Sequence, residues 1–188
     1  MKCHLKLLAP AGSLLALALA GPACADPMHP NDWYFGAGGD LTWLRHSDMG
    51  GGGHIALGHG FDNFRLEAEA GYHGAGGSDG YSSTHYFTYM GNLYYDFNTL
   101  FPSSGSGWHV APYIGGGLGD AAVHYGTSSF GNTFRHHEND FAWEGMAGLN
   151  FVSSSMPRTD WALGYRYLGT DTSNLHANSL ELALRFHF

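Results

Sequence analysis

Arg65-x-Glu67-x-Glu69 sets one guanidinium and two carboxylates at alternate positions, with apolar residues between and around them. Arg166, Glu181 and Arg185 repeat the theme, and Asp40, Asp96 and Glu144 sit in comparable settings. Paired carboxylates are the raw material of general acid–base chemistry. Arginine at the same spacing favours a different use, because a guanidinium fork bridges carboxylates and buried charge must be paired. We read these nine residues as a structural charge network, and no catalytic residue is expected among them. Two other sets of residues have chemical potential. Ser83 with His85 resembles the start of a nucleophile–base pair, although such a site also needs an acid to orient the base. His124, His136, His137, Glu138 and Asp140 offer metal-ligating atoms, but without a regular ligand interval. They read as an ordinary polar stretch, so neither metal nor cofactor is expected.

The elements that must position these groups follow from period-two alternation. Leu180, Leu182, Leu184, Phe186 and Phe188 alternate with Ser179, Glu181, Ala183, Arg185 and His187. Seven further segments behave alike: Trp33 to Arg45, His54 to Phe61, Phe64 to His73, Thr84 to Phe97, Trp108 to His124, Phe141 to Phe151 and Asp160 to Leu168. In Phe64 to His73 the apolar set is Phe64, Leu66, Ala68, Ala70 and Tyr72, opposite Arg65, Glu67, Glu69 and Gly71. A water-soluble sandwich would also alternate. It would not put large aromatics at the strand ends of the apolar face and glycine with paired charge on the other. Lipid outside and an enclosed polar interior account for both. In lipid, open sheet edges leave backbone groups unpaired at several kcal/mol each, so the sheet must close. The expected fold is all-β, an eight-stranded antiparallel up-and-down transmembrane barrel.

Residues 1–25 read as a secretory signal: Lys2 and Lys6, an apolar centre from Leu14 to Ala20, and Ala23-Cys24-Ala25 as the cleavage site. The apolar centre is too short for a spanning helix, and Gly21-Pro22-Ala23 is a poor context for lipidation at Cys24. The barrel domain is then 26–188. Cleavage removes Cys3, Cys24 and both lysines, which excludes disulfides and thiolate metal sites. Six arginines against sixteen acids leave a formal charge of −10, a poor match to nucleic acid.

The links between segments alternate in character. Asp62-Asn63 is a minimal hairpin turn; Asn98 to Gly107 and Val152 to Thr159 are the other links on that side, taken as periplasmic. Ser47 to Gly53, Gly74 to Ser83, Tyr125 to Asp140 and Gly169 to Leu175 face outwards. The longest, Tyr125 to Asp140, supplies Tyr125, Phe130, Phe134, His136 and His137 as candidate contacts for a surface ligand, since loops on a rigid scaffold carry recognition. An eight-stranded interior is just wide enough for side chains to fill, although the many inward glycines leave room for some water-filled space.

Four stretches then carry a resemblance. Tyr89-Met90-Gly91-Asn92-Leu93-Tyr94-Tyr95-Asp96-Phe97 and Ala111-Pro112-Tyr113-Ile114-Gly115-Gly116-Gly117-Leu118-Gly119 resemble the fourth and fifth strands of small opacity-type, OmpA-like outer-membrane barrels. Gly164-Tyr165-Arg166-Tyr167 and the run from Leu175 to Phe188 are similar to that family's last two strands. The resemblance implies a Gram-negative outer membrane reached through the periplasm, with lipid and lipopolysaccharide as neighbours. It implies roles in envelope integrity, adhesion or immune evasion, without chemistry. Leu184, Phe186 and Phe188 are similar to the signal read by the outer-membrane assembly machinery. We expect a non-enzymatic monomer with a plugged lumen. The alternatives are a narrow porin-like channel and a lipid A-modifying enzyme; against the latter, Ser173-Asn174 follows Asp171 where the deacylase pattern has histidine.

Overall fold

A computed structural model describes residues 31–44, 49–76, 82–97, 107–129, 132–171 and 175–188. The signal segment 1–25 and Phe130 lie outside the described residues. The strands are β1 (Trp33–Leu44), β2 (Met49–Phe61), β3 (Phe64–Gly76), β4 (Ser82–Asp96), β5 (Trp108–Ser129), β6 (Asn132–Ser153), β7 (Thr159–Thr170) and β8 (His176–His187). Each pairs antiparallel with its neighbours in sequence, and β8 returns to β1, so the sheet is a closed eight-stranded barrel.

The register defines its shape. From Trp43, successive paired residues run through Asn178, Tyr167, Gly145, Gly116, Leu93, Leu66 and His59 to Trp33, ten residues lower on β1. Such a stagger over eight strands tilts them by roughly 40° from the axis. Those ten residues of β1 then rise about 25 Å, the height of an outer-membrane apolar band. The expected faces are observed. Leu66, Ile55, Leu182 and Phe188 point outwards, whereas Arg65, Glu67, Glu69 and Glu181 are buried. Rings mark both rims of the band. At the lower one, Trp33, His59, Phe61, Phe64 and Tyr95 follow one another at centroid separations of 4.9 to 6.3 Å. At the upper one, Tyr72 meets Phe87 at 4.5 Å and Trp143 meets Tyr167 at 5.4 Å.

Three strands extend well beyond what alternation marks out. β2 begins at Met49, because Gly50 to Gly53 pair with Gly39 to Thr42; glycine carries no apolar signal, yet its backbone completes the ladder. β5 and β6 continue as a hairpin through the stretch read as the longest outer loop. Tyr125 pairs with His136, Phe134 with Thr127 and His137 with His124. The candidate contact positions 125, 134, 136 and 137 therefore belong to strands, not to a loop. The short Asp62-Asn63 turn is as expected, with Asp62 at φ 54°, the left-handed conformation tight hairpins use.

Candidate functional site

The nine charged residues expected inside all line the enclosed face, and they form layers. Near the lower rim, the Arg65 guanidinium donates to both oxygens of Asp96 (Nε–Oδ2 2.6 Å, Nη2–Oδ1 3.2 Å) and to Tyr34 Oη (3.2 Å). It also lies over the Tyr94 ring at 4.5 Å. Arg185 donates to Asp160 (3.0 Å) and to the side-chain oxygen of Asn150, whose amide in turn donates to Asp96 (2.7 Å). In the middle layer, one guanidinium serves three carboxylates. Arg166 donates to both oxygens of Glu69 (Nη2–Oε2 2.8 Å), to Glu144 (3.2 Å) and to Glu181 (Nε–Oε2 3.0 Å). Above it, His73 Nδ1 meets Asp40 at 3.0 Å, and Thr42 bonds Asp40 and Ser179. The top of the interior changes character: Leu44, Tyr86, Val123, Leu168 and Leu175 belong to one apolar cluster.

The register explains how partners on non-adjacent strands reach one another. Asp40, Gly52 and His73 form one lateral row, and Tyr34, Gly58 and Glu67 another. In each, glycine sits between the polar partners. Tyr34 Oη crosses it to donate to Glu67 (2.9 Å). A Cβ on Gly58 would lie 2.2 Å from the Tyr34 ring. Tyr113 crosses two, Gly148 and Gly164, to donate to Glu181 at 3.4 Å. The inward glycines, expected to leave water-filled space, instead make room for side chains that cross the lumen. What remains among Gly36, His54, Arg65, Glu67, Tyr94, Arg166, Glu181 and Arg185 is a cavity of about 20 Å³, room for roughly one water.

Several members of this network were not grouped by sequence reasoning. Asp160 shares the parity of Arg166 but opens its strand, where alternation has no preceding partner to assign a face. Tyr34, Tyr94, Tyr113 and Asn150 are inward by parity, yet their pairing depends on register between distant strands. The other chemical sets fare differently. His85 Nδ1 is engaged by Tyr72 Oη (3.1 Å), so a phenol stands where a triad needs an acid. Ser83 occupies β4 opposite Gly76 and Gly126. Among the described residues, no cluster of three or more His, Cys, Asp or Glu is arranged to hold a metal. Leu184, Phe186 and Phe188 all face outwards, and the Phe188 amide donates to the Trp33 carbonyl at 2.9 Å, at the β1–β8 seam.

A closed eight-stranded barrel with an apolar exterior and ion-paired interior accords with the family comparison, in which the model of the outer membrane protein beta-barrel domain matches residues 11–188. The chain belongs to that family. It is an outer-membrane β-barrel. Solved structures of similar fold include Neisserial surface protein A (20% identity, TM-score 0.61, 83% of this chain and 97% of that one). The attachment invasion locus protein Ail of Yersinia pestis is 14% identical, with TM-score 0.54 and coverage of 85% and 100%. The N-terminal β-barrel domain of Pseudomonas aeruginosa OprF is 15% identical, with TM-score 0.52 and coverage of 85% and 98%. At these identities the likeness is one of fold. No curated protein sequence matches the chain.

Proposed function

We propose that this outer-membrane barrel serves a structural or surface-interaction role, in envelope integrity, adhesion or immune evasion, with its lumen plugged. The observation that carries the reading is Arg166, which draws carboxylates from three other strands to the lumen centre. Tyrosines crossing the inward glycines and the apolar cluster above support it, since hydrated ions need a continuous wet path. The barrel is exported through the periplasm of a Gram-negative cell and recognised by the assembly machinery through Leu184, Phe186 and Phe188. It stands as a monomer among lipid and lipopolysaccharide, and any surface ligand meets its outer end. Ail has been crystallised with the heparin analogue sucrose octasulfate; a chain of formal charge −8 lacks a general attraction for such polyanions. No chemistry is assigned, because His85 is held by Tyr72.

Planar-bilayer recording on the purified barrel tests the plug. Silence of the wild type, with steps appearing in Arg166→Ala, is the expected result. Steady unitary conductance in the wild type that Arg166→Ala abolishes means the lumen is a narrow channel instead.

A further inference from the structure

One amide ends the run of apolar side chains on the outward face of β8. Leu180, Leu182, Leu184 and Phe186 are exposed along that strand, and above them stands Asn178. It pairs with Trp43 on β1 and with Tyr167 on β7, so a short polar side chain lies between two large rings. The result is an open cleft of about 430 Å³ lined by Trp43, Leu44, Tyr167, His176 and Asn178. Small-molecule sites span roughly 300–1,000 Å³, and this one is within that range. The row belongs to the upper end of the apolar band, where Trp143 meets Tyr167. Aromatic belts of this kind sit at headgroup level, so the cleft opens sideways onto lipid headgroups.

We propose that this cleft holds a sugar ring from the headgroup of an outer-leaflet glycolipid. The site rests on the barrel's proposed place among lipopolysaccharide and is independent of the plugged lumen. Aromatic faces carry negative charge density, which attracts the weakly positive C–H groups on one face of a pyranose. Sugar hydroxyls both donate and accept, and the Trp43 indole N–H and the Asn178 amide are at hand to meet them. No arginine, lysine or carboxylate lines the cleft. A phosphate or ammonium head therefore gains no ion pair with those side chains, which favours a neutral polyol.

The lining groups are held in place before any ligand arrives. Tyr167 Oη meets His176 Nδ1 at 2.9 Å, with the two rings 23° from parallel and 6.0 Å between centroids. Trp143 from β6 packs against the same tyrosine at 5.4 Å. Tyr165 Oη donates to Asn178 Oδ1, which fixes the amide plane and leaves Nδ2 to donate. Such pre-organisation lowers the ordering cost of binding.

The test is NMR titration of the folded full chain in phosphocholine micelles with three amphiphiles. Lipid A carries sugar and phosphate, n-octyl glucoside carries sugar alone, and a phosphatidic acid of matched acyl length carries phosphate alone. Trp43→Ala removes a wall and Asn178→Leu removes the donor; Phe87→Ala, beside Tyr72 at the same rim on β4, is the control. Heat-shifted gel mobility confirms that each variant is folded. Lipid A and the glucoside should give saturable shifts of the Trp43 indole and Asn178 amide signals, and phosphatidic acid should not. Affinity should fall at least tenfold in Trp43→Ala and in Asn178→Leu and stay unchanged in Phe87→Ala. In the wild type, nuclear Overhauser contacts should join Trp43 ring protons to sugar protons. An equal response to phosphatidic acid, a loss below tenfold in either cleft variant, an equal loss in Phe87→Ala, or absence of the Trp43–sugar contacts overturns the site. Equal affinity for free methyl glucoside overturns its assignment to a membrane lipid. A conducting lumen would sink the plug and leave all these outcomes unchanged.

Discussion

Arg166 on β7 and Glu69 on β3 meet across the full width of the lumen, with three strands between them on either side. No other guanidinium among the described residues contacts carboxylates from so many directions. Removing it leaves Glu69, Glu144 and Glu181 crowded without a cation. Arg166→Met should destabilise the barrel by about 3–5 kcal/mol, the cost of breaking a buried pair from one side. Adding Glu69→Gln, Glu144→Gln and Glu181→Gln to Arg166→Met should recover much of that loss. Urea unfolding in micelles, followed by tryptophan fluorescence, measures both; equal stability of the single and quadruple variants would refute the assignment of the penalty to unpaired charge.

Tyr34 and Gly58 form a second such relationship, steric instead of ionic. Because a Cβ on Gly58 would collide with the Tyr34 ring, Gly58→Ala should cost about 1–3 kcal/mol, the range for overpacking. In a Tyr34→Ala background the same substitution should be nearly free, so the pair should show strong coupling in a double-mutant cycle. Additive effects on unfolding free energy would mean that the ring does not occupy that space.

Depth on the outer face supplies a third test. Leu182 lies midway up the apolar band, opposite Gly39 and Leu163, whereas Phe64 lies at the lower rim. An arginine at position 182 should destabilise the folded barrel in bilayers by about 2–4 kcal/mol, and one at position 64 by about 0–1 kcal/mol. Equilibrium refolding into vesicles reads both. A larger penalty at 64 than at 182 would mean that the band is misplaced along the axis.

The contrast between these sites shows what sequence carries here. Strand faces were legible because Leu66 and Glu67, or Leu182 and Glu181, differ in kind at adjacent positions, and parity needs only local information. The charged set was legible for the same reason, down to Arg65, Arg166 and Arg185. Its partners were not. Tyr34 reaches Glu67 over Gly58 only because three strands stack in one register, and no window along the chain contains all three residues. Inward glycine therefore looked like vacancy. The outer end failed differently: Gly50 to Gly53, and the polar stretch from Tyr125 onwards, carry no apolar alternation, yet they pair as strands because neighbouring backbone satisfies them. The cleft over Asn178 is hidden by the same logic, since its walls, Trp43 and Tyr167, come from the first and seventh strands.

The seam where Phe188 meets Trp33 bears on the order of events during insertion. β1 and β8 bring together the two ends of the domain through eleven paired positions, the strand pairing most distant in sequence among the described residues. Until that join forms, β3 and β7 lie on an open curved sheet, and the Arg166 guanidinium has no reason to leave water for Glu69. Desolvation of the interior must then come late, concentrated in one closing step, and contacts so remote in sequence make such a step slow. A half-inserted chain would carry a hydrated, negatively charged trough, which hydrocarbon cannot host unaided.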